Sequence, residues 1–431
     1  MTPKTTRLKY LCVDGGQYGL NVPAADYVPE GEGLRLIRTT DLRPDGLLPP
    51  DEGIYAPTPV DPRFLLGQGD VLVSRAGTIG RSFLTPPAAA GSTFAGFLVR
   101  FRPRPDTDSR YLNYVLQSTP VQQQIQAEAI TSTIQNFNAE RYANLDVPSA
   151  GLPEQRRIAD YLDDQVALLE RTIALRQQQI DLTRELNVAQ IDNLLRQGGR
   201  PAVELLPAEY QPFGVVPRSW KQGRLRSTSV EVQTGPFGSQ LNADEYVDGA
   251  WPVVNPSNIT REGCLIRDDT VTVNDGTRAR LARHVLQVGD VVFGRRGDLG
   301  RAGLVTEEHA GWVCGTGSLR VRFLEAAFDP AYLTRFLRLP SIRHYFESNS
   351  VGSTMQNLNT SLLLGMPLLI PALDEQRSIA ERADALAARS EGLVRLLTQS
   401  IDLVRERKRA LITAAVTGKI DVSTARPVEV A

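Results

Sequence analysis

Arginines flank glycines in two segments, Ser74-Arg75-Ala76-Gly77-Thr78-Ile79-Gly80-Arg81 and Gly294-Arg295-Arg296-Gly297-Asp298-Leu299-Gly300-Arg301. Glycines let backbone N–H groups approach an anion, and guanidinium groups add charge-assisted hydrogen bonds, so the combination suits phosphate. Two further segments offer hydroxyls and amides: Ser132-Thr133 with Gln135-Asn136, and Ser353-Thr354 with Gln356-Asn357. Groups of this kind bond phosphate oxygens or base edges. The candidate nucleic-acid contacts are therefore Arg75, Thr78, Arg81, Ser132, Thr133, Gln135 and Asn136 in the first half. In the second half they are Arg295, Arg296, Arg301, Ser353, Thr354, Gln356 and Asn357. The same segments also suit turns and caps of a repeated fold, and that role fits Gly69, Asp70 and Gly77 better than a ligand contact does.

Catalytic chemistry finds no residues to use. There is no phosphate-binding GxxxxGK[ST], no GxGxxG after a strand, no GxSxG elbow and no HExxH. His284, His309 and His344 all lie in the second half, so a chemistry common to both halves cannot use them. Asn255-Pro256-Ser257-Asn258 resembles the Asn-Pro-Pro-aromatic tetrapeptide of adenine methyltransferases. It lacks the second proline and the aromatic that stacks on a flipped base. Cys12, Cys264 and Cys314 form no CxxC or Cys/His cluster, which argues against a zinc site and for a reducing cytoplasm. No apolar run is long enough to span a membrane, and the first residues lack the apolar core of a secretory signal. The net charge of −1 gives no basic excess of the kind nucleic-acid binders often show.

The elements that must position these residues are duplicated. GDVLVSRAGTIGR from Gly69 and GDVVFGRRGDLGR from Gly289 lie about 220 positions apart, roughly half the chain. The match extends to Tyr27 with Tyr246, and to Val99-Arg100-Phe101 with Val321-Arg322-Phe323. It continues through STIQNFN with STMQNLN and PEQRRIA with DEQRSIA. Each copy reads as an α+β domain with a mostly antiparallel sheet, followed by one long helix. Gly-Asp then Val-Leu-Val marks a turn feeding a strand, and DSRYLNYVLQS and PAYLTRFLRLP mark short helices. The expected order is a recognition domain over 1–150, a helix over 151–200, a second domain over 201–370, a helix over 371–420 and a tail over 421–431.

The long helices carry heptad seams: Leu162, Val166, Leu169, Ile173 and Ile180 in the first, and Ala383, Leu397, Val404 and Leu411 in the second. Such spacing predicts an antiparallel coiled-coil pair. Leu168, Leu175 and Leu182, with Leu396 and Leu403, form a second stripe that needs either a partner protein or burial within this chain. Two similar heads on a helical spacer suit a long repetitive ligand such as duplex DNA. A duplicated adaptor that organises other proteins is the alternative, and a steep salt dependence of DNA binding separates the two.

Taken together, the doubled GDVLVSRAGTIG/GDVVFGRRGDLG, STIQNFN/STMQNLN and LDVPSAGLPEQRRIADYL/MPLLIPALDEQRSIAERA segments resemble the specificity subunit of type I restriction–modification systems. Pro217-x-x-Trp220, opening the second copy, resembles that family too. The resemblance covers nearly the whole chain. It implies two target recognition domains, each reading half of a split double-stranded DNA site, with the paired helices as a ruler. It also implies two modification subunits that bring S-adenosylmethionine and methylate adenine, with restriction (motor and nuclease) subunits completing the complex. No cofactor or metal is implied in this chain. Sequence discrimination is implied where the copies differ, as at Arg38–Arg43 against Asn255–Arg261.

Overall fold

The computed structural model describes residues 4–43, 46–47, 52–130, 136–199, 204–237, 240–260, 262–297, 299–325, 328–349 and 358–422. The chain forms two compact units that do not follow chain order: Met1–Gln179 with Leu396–Ala431, and Ile180–Arg395. Among the described residues no helix is long and apolar enough to cross a membrane.

Both units are built to one plan. In the first, an antiparallel sheet runs in the order Gln17–Tyr18, Leu98–Phe101, Val71–Ser74, Ser82–Leu84. The second repeats it as Val230–Thr234, Ser318–Phe323, Val291–Gly294, Ala302–Leu304. A three-stranded sheet with one parallel pair accompanies each: Ile54–Pro57, Gly33–Ile37, Thr93–Phe94, and Thr272–Val273, Trp251–Val254, Val313–Cys314. Val71–Ser74 and Val291–Gly294 are apolar at nearly every residue because both faces are covered. Val71 and Val73 enter one core while Leu72 enters another, and Val291 and Phe293 are likewise divided from Val292. The architecture is α+β.

Strand register corrects one equivalence read from sequence. Phe101 pairs with Val71 and Val321 with Val291, so Phe101 corresponds to Val321 rather than to Phe323. A slip of two residues keeps every side chain on its own face, which is why the false match of Val-Arg-Phe with Val-Arg-Phe looked sound. Arg102 and Arg322 are the true equivalents. The helices Thr119–Ile130 and Pro340–Asn349 were not read from sequence. The former is glutamine-rich and lacks a clear apolar stripe.

Each α+β region is closed by a short ladder, Thr5–Arg7 on Asp146–Pro148 and Lys221–Arg224 on Pro367–Ile370, immediately before a long helix. These helices span Leu152–Gln197 and Leu373–Val416. Gly198 and Gly418, at φ 72° and 67°, stop them in the left-handed conformation that suits glycine. In the first unit Ile158, Ala159 and Leu162 share a core with Ile412, Ala415 and Val416, and Glu170 pairs with Lys408. In the second unit Leu194 and Leu195 pack in one core with Ile379, Ala380 and Ala383, and Arg382 Nη1 donates to the Gly198 carbonyl at 2.9 Å. Within each unit the two helical segments run antiparallel.

Leu162, Leu169, Ile180 and Leu397 are buried, while Val166, Ile173, Val404 and Leu411 are half-buried. Ile401, Ile412 and Gln165 are also buried, and the heptad reading passed over them. Leu168, Leu175, Leu182, Leu396 and Leu403 are exposed.

The repeated Glu-Gln-Arg has a structural cause. Gln155, buried at the helix start, accepts from the Asp108 N–H at 2.8 Å and donates to the Ala150 carbonyl at 2.8 Å. Gln376 makes the same two bonds, to the Asp329 N–H at 2.8 Å and the Pro371 carbonyl at 2.9 Å. One side chain thus ties the long helix to the α+β region and to the segment that joins them. Gln155→Leu or Gln376→Leu leaves a backbone donor and acceptor unpaired, and is expected to cost about 2–3 kcal/mol in chemical denaturation. Arg156→Ala, at the exposed neighbouring position, is expected to change stability by less than about 0.5 kcal/mol.

Candidate nucleic-acid interface

The duplicated motif is a β-hairpin with a looped tip. Asp70 and Asp290, almost fully buried, set its base. Asp70 accepts from the Gly67 N–H at 2.7 Å and takes a two-pronged ion pair from Arg102 at 2.8 and 2.7 Å. Asp290 repeats this with Gln287 at 2.8 Å and Arg322 at 2.7 and 2.6 Å. These bonds raise the pKa of both arginines. The aspartates are turn-builders.

At the tip, Gly77 and Gly297 have φ of 72° and 81°, and Gly80 and Gly300 have 83° and 89°. These left-handed positions demand glycine. Under the loop the Tyr142 hydroxyl donates to the Ser74 carbonyl at 2.7 Å and accepts from the Gly80 N–H at 2.9 Å. In the second unit the Phe346 ring sits so close that a Cβ on Gly300 would fall 2.8 Å from it.

The structure brings the Arg-Gly loop and the end of the hydroxyl–amide segment together in both units. The Phe137 N–H donates to the Arg75 carbonyl at 2.9 Å, and the Leu358 N–H to the Arg295 carbonyl at 2.8 Å. Arg75 Nε also donates to Asn136 Oδ1 at 3.0 Å, Nη1 to the Gly96 carbonyl at 3.3 Å, and the guanidinium lies over the Tyr18 ring at 4.7 Å. Arg295 donates to the Leu358 carbonyl at 3.4 Å and lies over the Phe237 ring at 5.0 Å. Both arginines are thereby held in place. Burial, and then the nearby charge of Arg296, pull the Arg295 guanidinium below its ordinary pKa.

Thr78 and Arg296 are exposed on the loops. Arg81 is half-buried and lines a cavity of about 200 Å³ with Thr39, Thr40 and Thr78. Arg301 is half-buried, and its Nε is buried without a partner. Ser132, Thr133, Gln135, Ser353, Thr354, Gln356 and Asn357 lie outside the described residues, as does Asp298.

The segments where the copies differ occupy one structural place. Thr39–Asp41 and Pro256–Asn258 are single 3-10 turns following equivalent strands. Asp41 accepts from the Arg38 N–H at 3.0 Å, and Asn258 from the Asn255 N–H at 2.9 Å. The Asn-Pro-Ser-Asn segment is thus a capped turn. Beside the first turn lies a cavity of about 550 Å³ lined by Asn21, Tyr27, Arg38, Thr39, Thr40 and Phe97. Thr39 and Thr40 fall within the divergent Arg38–Arg43 segment already singled out, whereas Phe97 and Phe237 escaped sequence reading, because the equivalences that mark them emerge only from strand pairing.

Fold and site define a duplicated α+β protein with paired helices. The family model for the type I restriction modification DNA specificity domain matches residues 55–182 and 230–398, more than half of the chain, and the chain belongs to that family. It is a specificity subunit of a type I restriction–modification system, the recognition component rather than a catalyst. The specificity subunit of EcoKI from Escherichia coli K12 is 23% identical over 337 residues, 76% of this chain and 69% of that one. That of MjaVIII from Methanocaldococcus jannaschii is 20% identical over 319 residues, 73% and 71% of the two chains. Among solved structures, a chain described under complex assembly and conformational transition of the type I R-M system is similar at TM-score 0.72. It is 16% identical, with 97% of this chain and 98% of that chain covered. The HsdS subunit from Thermoanaerobacter tengcongensis is similar at TM-score 0.52 and 16% identity, with 97% of each chain covered.

Proposed function

We propose that each unit reads one half of a bipartite duplex DNA target, and that the paired helices fix the spacing of the halves and dock two modification subunits. The observation that carries this reading is the repetition of one site, hairpin loop, 3-10 turn and hydroxyl–amide segment, in two units that share two continuous helices. Arg81, Thr78, Arg296 and Arg301 contact phosphate, while Arg75, Asn136 and Arg295 buttress the loops from which contacts are made. Ser132, Thr133, Gln135, Ser353, Thr354, Gln356 and Asn357 complete the interface. In this reading the recognition domains occupy 1–150 and 201–370, on spacer helices over 151–200 and 371–420. The exposed stripe of Leu168, Leu175, Leu182, Leu396 and Leu403 supplies apolar area for the modification subunits, which bring S-adenosylmethionine. Restriction subunits join the assembly in the cytoplasm.

The test is base-resolution mapping of methylated adenines in cells carrying this chain with its modification subunit, against cells lacking this chain alone. A split motif that vanishes with the chain supports the reading. Absence of chain-dependent methylation from an assembled complex overturns it.

A further inference from the structure

Of the thirteen phenylalanines, only Phe97 and Phe237 are exposed, at 62% and 48%. They flank the same end of the four-stranded sheet in their units. Backbone pairing makes Phe97 equivalent to Gly317, since the Arg75 N–H donates to the Phe97 carbonyl and the Arg295 N–H to the Gly317 carbonyl. It makes Phe237 equivalent to Asn21. The Gly19 N–H bonds the Leu98 carbonyl and the Gly235 N–H the Ser318 carbonyl, and Asn21 and Phe237 each follow two residues later. So the two units share a backbone and present one phenylalanine each, from different strand ends. The first unit pairs Asn21 with Phe97. The second pairs Phe237 with Gly317.

Phe97 stands beside the turn where the copies differ, and Phe237 beside an arginine that buttresses the contact loop. Phe97 lines the cavity with Arg38, Thr39 and Thr40, and Arg295 rests on Phe237. An exposed phenylalanine gains nothing in water. Against a base edge it can cover a thymine methyl or wedge against a base step.

We propose that Phe97 and Phe237 are specificity-determining residues, each making the apolar base contact of its own unit's half-site. Exchange of the ring between two backbone positions then gives the copies different targets on one scaffold. This rests on the reading that each unit recognises half of a split site.

The reciprocal exchanges Phe97→Gly and Phe237→Asn test it, because each installs the residue that the other unit already tolerates at that position. Each full chain is expressed with its modification subunit, and methylated adenines are mapped with the wild type alongside. Phe97→Gly is expected to relax discrimination roughly tenfold at one or two positions of one half-site, a single mismatch's worth. Phe237→Asn is expected to do the same in the other half-site only. Unchanged discrimination in both variants, or loss of methylation with a lowered melting temperature, overturns the assignment. A wild-type chain that directs no split motif overturns the underlying reading instead, so the two failures are distinguishable.

Discussion

The double substitution Leu162→Asp, Leu169→Asp is expected to abolish chain-dependent methylation at both halves of the target. Leu162 and Leu169 are 0% and 1% exposed, and Leu162 shares its core with Ile158, Ala159, Ile412, Ala415 and Val416. Losing a buried leucine costs about 2–5 kcal/mol, and an unpaired carboxylate in the same place adds more. Two such changes together fall within the range of roughly 5–15 kcal/mol that holds a typical domain folded. The first unit should therefore unfold, and a split site needs both readers. The measurement pairs thermal melting with methylation mapping. Leu168→Asp, on the exposed stripe, is the contrast: the chain is expected to fold normally and bind its modification subunit at least tenfold more weakly. Retention of the split motif by the double variant would refute the helix pair as the frame of recognition.

Removing a matched heptad from both long helices is expected to shorten the spacer between the half-sites and leave their sequences intact. Seven residues are about 10 Å of helix, the rise of about three base pairs. A heptad nearly preserves the facing of the seams, leaving only about 20° of rotation. Three base pairs, however, turn the duplex by roughly 100°, given about 10.5 base pairs per turn. The shortened protein must therefore twist or bend its DNA, and a roughly tenfold or larger loss of affinity should accompany the new spacing. Altered half-site sequences at an unchanged spacing would show that the helices are not a ruler.

The parts of this molecule dominated by local chemistry were legible in the sequence. Left-handed glycines at 77, 80, 297 and 300 announce the hairpin loops, and Gly-Gly after Gln197 and Gly418 after Thr417 end the helices where they do end. The heptads pointed to residues that are now buried or half-buried. What escaped depends on pairing between distant strands. The false equivalence of Phe101 with Phe323 survived because a two-residue slip preserves the alternation of faces, so only the partner residues Val71 and Val291 expose it. The exposed phenylalanines escaped for the same reason: Phe97 aligns with a glycine and Phe237 with an asparagine, and neither stands out until the ladders are laid side by side. Gln155 and Gln376 were visible as repeated letters, but their paired backbone bonds were not.

The division of the chain into Met1–Gln179 with Leu396–Ala431 and Ile180–Arg395 also sets an order of assembly during synthesis. The first recognition domain leaves the ribosome before the second unit, yet the floor it rests on, Ile412, Ala415 and Val416, is made only after all of that unit. The Thr119 N–H waits likewise for Thr413 Oγ1, at 2.9 Å in the finished protein. At about 5–20 residues per second, the intervening stretch takes on the order of 10–60 s to translate. The unit that begins first is thus completed last, after the inner unit has closed. A nascent chain halted near residue 395 holds every residue of the second unit and leaves Leu162 facing water, so premature termination damages the half of the protein farthest from it in sequence.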